Sequence, residues 1–303
     1  MANRSEALRE PLPLAGDHPE RRAAGQLARL WRLVRANPLG AVGVILILSL
    51  IVVGVCAPLL APYPINKYSG IPLRAPSGAH PFGTDKFGND ILSRVIFGAR
   101  ISLRIGFFAV GIGTLLGMAI GIVSGYARGL VDTIVQRCVD TAIAFPQLIL
   151  LLIVIRLLGP SIVNVIFVVA IGIIPGVARI VRAAVLSERQ NAYIEAAQSM
   201  GASHLRIVVR HLTPNVLPLV IVVATTLLGA AILAEASLSF LGLGIPPPNP
   251  SWGADISASR TSYPINTWAA LFPGVAISLT VLGFNLLGDT LRDILDPRLR
   301  GAR

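Results

Sequence analysis

Few side chains in this sequence stand where they could do chemistry. Glu235 and Arg156 are ionisable groups beside long apolar runs, a position that marks functional residues in membranes. Both lie near the ends of their runs, where a long side chain can reach polar surroundings. Glu235 is followed by Ala236 and Ser237 and is a candidate contact to a pathway or a partner. Asp132, Arg137 and Asp140 flank another run, and Arg137 and Asp140, three apart, can pair on one helical face. His18, His80, His204 and His211 show no metal-ligand spacing, and Cys56 and Cys138 fall in or beside different runs on opposite membrane sides, which speaks against a disulfide or a metal site. No Gly-x4-Gly-Lys-[Ser/Thr] occurs, and neither Lys67 nor Lys86 follows a glycine, so nothing here would cradle nucleotide phosphates. No catalytic residue, cofactor or metal is assigned, and the chain is read as a non-enzyme.

The elements that must position these residues belong to a membrane. The 303 residues are 54% hydrophobic and only 14% charged, with a mean hydropathy of +0.72. The apolar residues gather into uncharged runs long enough to cross roughly 30 Å of hydrocarbon, about 20 helical residues each. Allowing for tilt, the runs predict six spans, at 39–60, 103–126, 134–158, 161–181, 216–240 and 267–289, the third and fourth parted by the turn Leu158-Gly159-Pro160-Ser161. The net charge of +11 is almost all arginine. In a soluble chain it would suggest nucleic acid; here it sets orientation. Seven arginines from Arg4 to Arg35 precede the first run, so the positive-inside rule puts the N-terminus in the cytoplasm, and six spans return the C-terminus there. Arg94, Arg100 and Arg104, on the outer side, are a contrary cluster. The first run is too long for a signal-peptide core and is read as a retained anchor. Residues 1–36 form a cytoplasmic tail and 37–303 an all-α six-helix domain, with outer loops at 61–102 and 241–266 and one long inner segment at 182–214.

That inner segment is the most informative stretch. Tyr193, Ala196, Ala197 and Met200 can form a modest apolar helical face, Gly201 suits a helix stop, and a second short helix through Leu205, Val208, Val209 and Leu212 leads to Pro214, which suits the first turn of the next span. A compact knob between two spans results.

Glu195-Ala196-Ala197, three residues, Gly201 and then Pro214 resemble the cytoplasmic loop of ABC-importer permeases, although His211 and Thr213 stand where that superfamily has Ile and Leu. His80-Pro-Phe-Gly-Thr-Asp, Ser93-Arg94, Gly98-Ala-Arg-Ile-Ser102, Ser237 to Gly244, Pro248 to Gly253, Asn285 to Asp289 and Leu291 to Pro297 look, in order, like the peptide/nickel-type branch and its dipeptide- or oligopeptide-type C subunit. Asn89 departs from the arginine usual there. The resemblance implies a type I importer in the cytoplasmic (inner) membrane: two homologous permeases paired as a heterodimer, two ATP-binding subunits beneath them, and an extracytoplasmic solute-binding protein. The solute implied is a di- or oligopeptide, with nickel, glutathione, opines and oligosaccharides as alternatives in the same branch. On that resemblance Glu195, Ala196, Ala197, Gly201 and Pro214 form the ATPase-coupling loop, against the ordinary reading of Glu195 as a solvated helical glutamate. Trp252 is a candidate docking anchor for the binding protein, since tryptophan is enriched at binding hot spots; a ring at the lipid headgroups is the competing reading. An ion-coupled transporter would instead place carboxylates or broken helices near mid-membrane, and a membrane enzyme would need Ser/His, Glu/His or paired acidic residues within a span.

Overall fold

A computed structural model describes residues 37–65, 68 and 70–295. The tail at 1–36 and the end of the chain from 296, including the last residues of the Leu291 to Pro297 motif, lie outside the described residues. In chain order the helices are α1 (Pro38–Val55), the single turn α2 (Ala57–Leu60), α3 (Ile91–Ala127), α4 (Gly129–Ala144), α5 (Gln147–Leu158), α6 (Ile162–Glu188), α7 (Ala192–Ser199), α8 (His204–Ile207), α9 (Thr213–Phe240), α10 (Trp252–Ser259) and α11 (Trp268–Leu295). Among the described residues the only β pairing is the isolated bridge Thr84–Asp90.

Among the described residues, five stretches are long and apolar enough to cross a bilayer: Pro38–Val55, Ile91–Ala127, Ile162–Glu188, His204–Phe240 and Trp268–Leu295. The expected third span is not one straight helix. It is the pair α4 and α5, bent by 93°, and counting that pair as one gives six. Pro146 causes the break, because it has no N–H to donate and its ring pushes the preceding residue out of the helical region; Phe145 is extended, at φ −81° and ψ 136°.

The second span begins at Ile91, well before the expected residue 103, because a cap starts it early. Asp90 accepts hydrogen bonds from Ser93 N at 2.8 Å and Ser93 Oγ at 2.7 Å, which satisfies a donor left over at the helix start. His80 Nδ1, 3.0 Å from the other Asp90 oxygen and stacked on Tyr63, holds that carboxylate in place. The resulting 37-residue helix is about 55 Å long, more than the hydrocarbon is thick.

The centre of the body is the seam between α3 and α6. Gly113, Gly117, Gly121 and Gly125 lie under the β-carbons of Ile173, Val177, Val181 and Val185, and a methyl placed on any of the four would stand 2.7–3.0 Å from its partner. A four-residue period on both helices lets stiff β-branched side chains enter a groove of bare backbone, the close packing that holds helices together in lipid. Two ion pairs tie α4 to the C-terminal half of α6: Asp132 takes Arg182 through both oxygens at 2.6 Å, and Asp140 pairs with Arg179. The expected pairing of Asp140 with Arg137 on α4 itself is therefore replaced by one across helices, since α6 presents arginines to both aspartates. Toward lipid the body shows large apolar side chains such as Ile45, Leu48 and Val52 on α1 and Phe108 on α3.

Candidate functional site

The knob at 182–214 is built from its helix ends. α7 turns two residues inward, Ile194 (0% exposed) and Ala197 (4%). It leaves Tyr193, Glu195, Ala196 and Met200 outside. The expected apolar face is thus only partly an inner one: Ala197 packs, while Tyr193, Ala196 and Met200 form a stripe on the surface. α7 ends in a full Schellman motif, with Ala202 N donating to Ala197 O at 3.0 Å and Gly201 N to Gln198 O at 2.9 Å. That geometry needs a left-handed residue, and Gly201 supplies it at φ +77°. The spacing from Ala197 to Gly201 is the length of this cap.

The second short helix is not separate from the span that follows. α8, capped by Ser203, passes through a π-helical turn, Val208–Leu212, into α9. Pro214 therefore sits inside a continuous helix, where the wider turn accommodates a residue that cannot donate to the ladder. Ile207 and Leu212, both fully buried, anchor this arm, while Leu205 is 74% exposed.

Polar contacts fasten the knob to three helix ends. Tyr193 Oη donates to the Glu188 carboxylate at the end of α6 and accepts from Asn215 Nδ2, at 2.8 Å, at the start of α9. Burial first, and the hydrogen bond to Glu188 second, push the Tyr193 phenol above its ordinary range, so it stays protonated as a donor. Tyr126, at the end of α3, meets His204 Nδ1 at 2.7 Å, and its carbonyl accepts from Arg189 at 2.6 Å. Sequence reasoning missed Tyr126 and Tyr193 as fasteners; the only available sign was an aromatic with a phenol beside a predicted loop.

At the other end of the bundle lies a closed cap, and two expected site residues are inside it. Trp252, the first residue of α10, is 1% exposed. Its indole lies against Gly98 of α3, which has no side chain to fill the slot, and its Nε1 donates to Val95 O at 3.0 Å. A buried ring with its N–H satisfied is a core residue, so Trp252 is not a docking anchor. Gly253 comes up against the Ala236 carbonyl next to it. Glu235 is 0% exposed. Its carboxylate accepts from Ser239 and Ser251 at 2.8 Å and from Ser102 at 3.3 Å, bridging α9, α3 and the start of α10. It faces neither a pathway nor a partner, because hydroxyls of its own chain surround it. Arg156 is exposed in the last turn of α5, where a cation complements the helix dipole.

The same cap explains the contrary arginine at its edge. Arg94 pairs with Asp255 of α10 and lies 3.9 Å from Asp85. Burial holds the Asp255 carboxyl above the ordinary carboxylate range, with Arg94 opposing the shift, and Asp255 Oδ2 is buried with no hydrogen-bond partner. Asn89, the departure in the motif that begins at His80, donates through Nδ2 to Asp85 at 2.9 Å and so steadies the loop that carries this pair.

An all-helical membrane body with a closed cap at one end and an exposed knob between two spans at the other is the architecture of a transport permease. The chain belongs to the family described as binding-protein-dependent transport system inner membrane component, which matches residues 117–301, and residues 25–76 match the N-terminal TM domain of oligopeptide transport permease C. It is 44% identical over 273 residues, 89% of this chain and 90% of the relative, to the glutathione transport system permease protein GsiD of Escherichia coli O157:H7. To the dipeptide transport system permease protein DppC of Alkalihalophilus pseudofirmus it is 41% identical over 276 residues, 89% of each chain. The inward-facing MetNI methionine ABC transporter shares the fold, with a TM-score of 0.57 at 23% identity over 68% of this chain and 98% of that one. The protein is thus a multi-pass inner-membrane permease of the peptide/nickel-type ABC importers, and ATP hydrolysis belongs to separate subunits.

Proposed function

We propose that this chain is one of two unlike permeases standing side by side, with both termini in the cytoplasm and the knob as the surface through which an ATP-binding subunit moves it. The observation that carries this reading is the division of labour on α7. Ile194 and Ala197 lock the helix to the body, while Glu195, Ala196 and Met200 stand outside it. Ala196 lets a partner approach closely, Glu195 offers a charged acceptor to it, Gly201 fixes the angle at which the helix ends, and Pro214 lies in the first turn of α9, just past the π-helical turn. Two ATP-binding subunits then serve the pair of permeases.

Peptide-like solutes are the cargo we infer, because the relatives named above carry glutathione and dipeptides, both built from amide-linked residues. An extracytoplasmic binding protein delivers them to the end opposite the knob. With Trp252 in the core, its contact surface falls to exposed apolar groups of the outer loops, Phe87 (63%), Tyr263 (68%) and Ile265 (78%).

Replacing Glu195 by Lys in the assembled importer tests the coupling role. We expect normal membrane abundance, loss of uptake, and weaker co-purification of the ATP-binding subunit. Full uptake at normal abundance would remove Glu195 from the coupling surface.

A further inference from the structure

The break between α4 and α5 is the feature that the coupling loop and the outer cap leave unexplained. Gln147, the first residue of α5, lies over Gly172 of α6, its Nε2 3.0 Å from where a β-carbon would stand. Gly172 is the eleventh residue of α6, about 15 Å along a helix that spans the membrane, and so near mid-depth. A polar side chain and an interrupted helix at that depth are not tolerated against lipid; non-helical backbone occurs there only where protein buries it or water reaches it. Here the chain itself does not bury the break. Residues 143–149 are all exposed, and no side chain caps the start of α5.

Beside the break runs a trough of about 200 Å³ between α5, α6 and α9. Its walls include Gly172, Gly176, Ala230 and Ala234, and Gln147 is its only polar side chain. A β-carbon on Gly176 would meet nothing within 4 Å, so the trough is open where it is narrowest in side chain. No wall residue is ionisable. Such a surface has no means of selecting a charged side chain, but it has one amide, which donates and accepts at once. The chemical partner that matches it is another amide, and amides are what every peptide solute repeats regardless of sequence.

We propose that this trough is the solute pathway's wall in this chain, and that Gln147 is the residue that hydrogen-bonds the backbone amides of peptide solutes as they pass. The assignment of peptides as the ligand class rests on the function proposed above; the wetness of the trough does not.

The test uses the complete importer in proteoliposomes, with Cys56 and Cys138 replaced by serine. In that background a Gln147→Cys thiol should react with a charged, membrane-impermeant methanethiosulfonate at least about tenfold faster than a Leu48→Cys thiol at the lipid-facing middle of α1, and turnover with trialanine should protect it. Separately, Gln147→Leu should lower uptake of trialanine and S-methylglutathione about tenfold, the worth of one hydrogen bond, at unchanged membrane abundance and unchanged co-purification of the ATP-binding subunits. Gln147→Asn, which keeps the amide, should recover part of the uptake. A Gln147→Cys thiol no more reactive than the lipid-facing one would mean that the partner permease packs on the trough, and would overturn the proposal. Unchanged uptake by Gln147→Leu would overturn the role of the amide. A reactive thiol in an importer that takes up neither peptide would uphold the wet trough and overturn the peptide ligand class.

Discussion

The two ends of this molecule solve opposite problems. The cap turns its most conspicuous side chains inward: Trp252, Glu235, His80 and Asp90 are each at most 3% exposed. The knob does the reverse, anchoring itself on a few small or aliphatic groups and exposing Glu195, Met200 and Leu205. The cap spends its polar residues on itself, since Ser102, Ser239 and Ser251 all serve one carboxylate. The knob spends its polar residues on fastening to helix ends, through Tyr126, Tyr193 and Asn215. A residue that looks like a contact in the sequence is therefore a core residue at one end and a surface at the other. The difference teaches that loop composition alone does not say which.

Substitutions should separate the two ends by where their cost appears. Trp252→Ala empties a slot that Gly98 leaves wholly to the indole, and should lower folding stability by about 4 kcal/mol; thermal unfolding of the detergent-solubilised chain would register it as lost folded yield. If stability held and only binding-protein stimulation fell, the cap would be a docking surface after all.

Arg94→Leu should follow closely. It strands the Asp255 carboxylate, whose Oδ2 is buried without a partner, at a cost of about 3 kcal/mol. That deficit should shrink on acidification from neutral pH. The sign follows from burial, which already raises the Asp255 carboxyl: the folded state holds the proton more tightly than the unfolded one, so stability is regained as pH falls through the raised value. A deficit independent of pH would assign the loss to packing.

Glu235→Leu removes the acceptor of three buried hydroxyls and should cost about 2 kcal/mol, measured in the same melts. Glu235→Gln, which keeps an acceptor, should cost less. Uptake lost by Glu235→Gln at unchanged stability would restore a pathway role to this residue.

At the knob the effect on stability should be smallest. Glu195→Lys should change it by less than about 0.5 kcal/mol, as for an exposed position without special geometry, while abolishing ATP-driven uptake. A melt shifted as far as that of Glu235→Leu would mean that the knob is a structural element and not a surface for a partner.

Much of this was determined by the sequence alone. Runs without charge long enough to cross a bilayer leave few alternatives, because lipid offers the backbone no hydrogen bonds and forces helices. The helix stop at Gly201 was equally legible, since the left-handed turn there admits few residues other than glycine. The glycines at 113, 117, 121 and 125 were there to be read as a packing seam, although only their β-branched partners on α6 show what fills it. Tertiary structure decided the rest. Whether Trp252 met a partner or a core depended on Gly98, some 150 residues away in the chain, and whether Glu235 faced a pathway depended on Ser102 and Ser251, which no local pattern connects. The early start of α3 required His80 to hold Asp90, and the pairing of Asp140 required the arginines of α6. Period and composition fix what a segment can become, because backbone geometry and solvent act locally; which side chain is buried depends on what the fold brings to it, and that is not written in its neighbours.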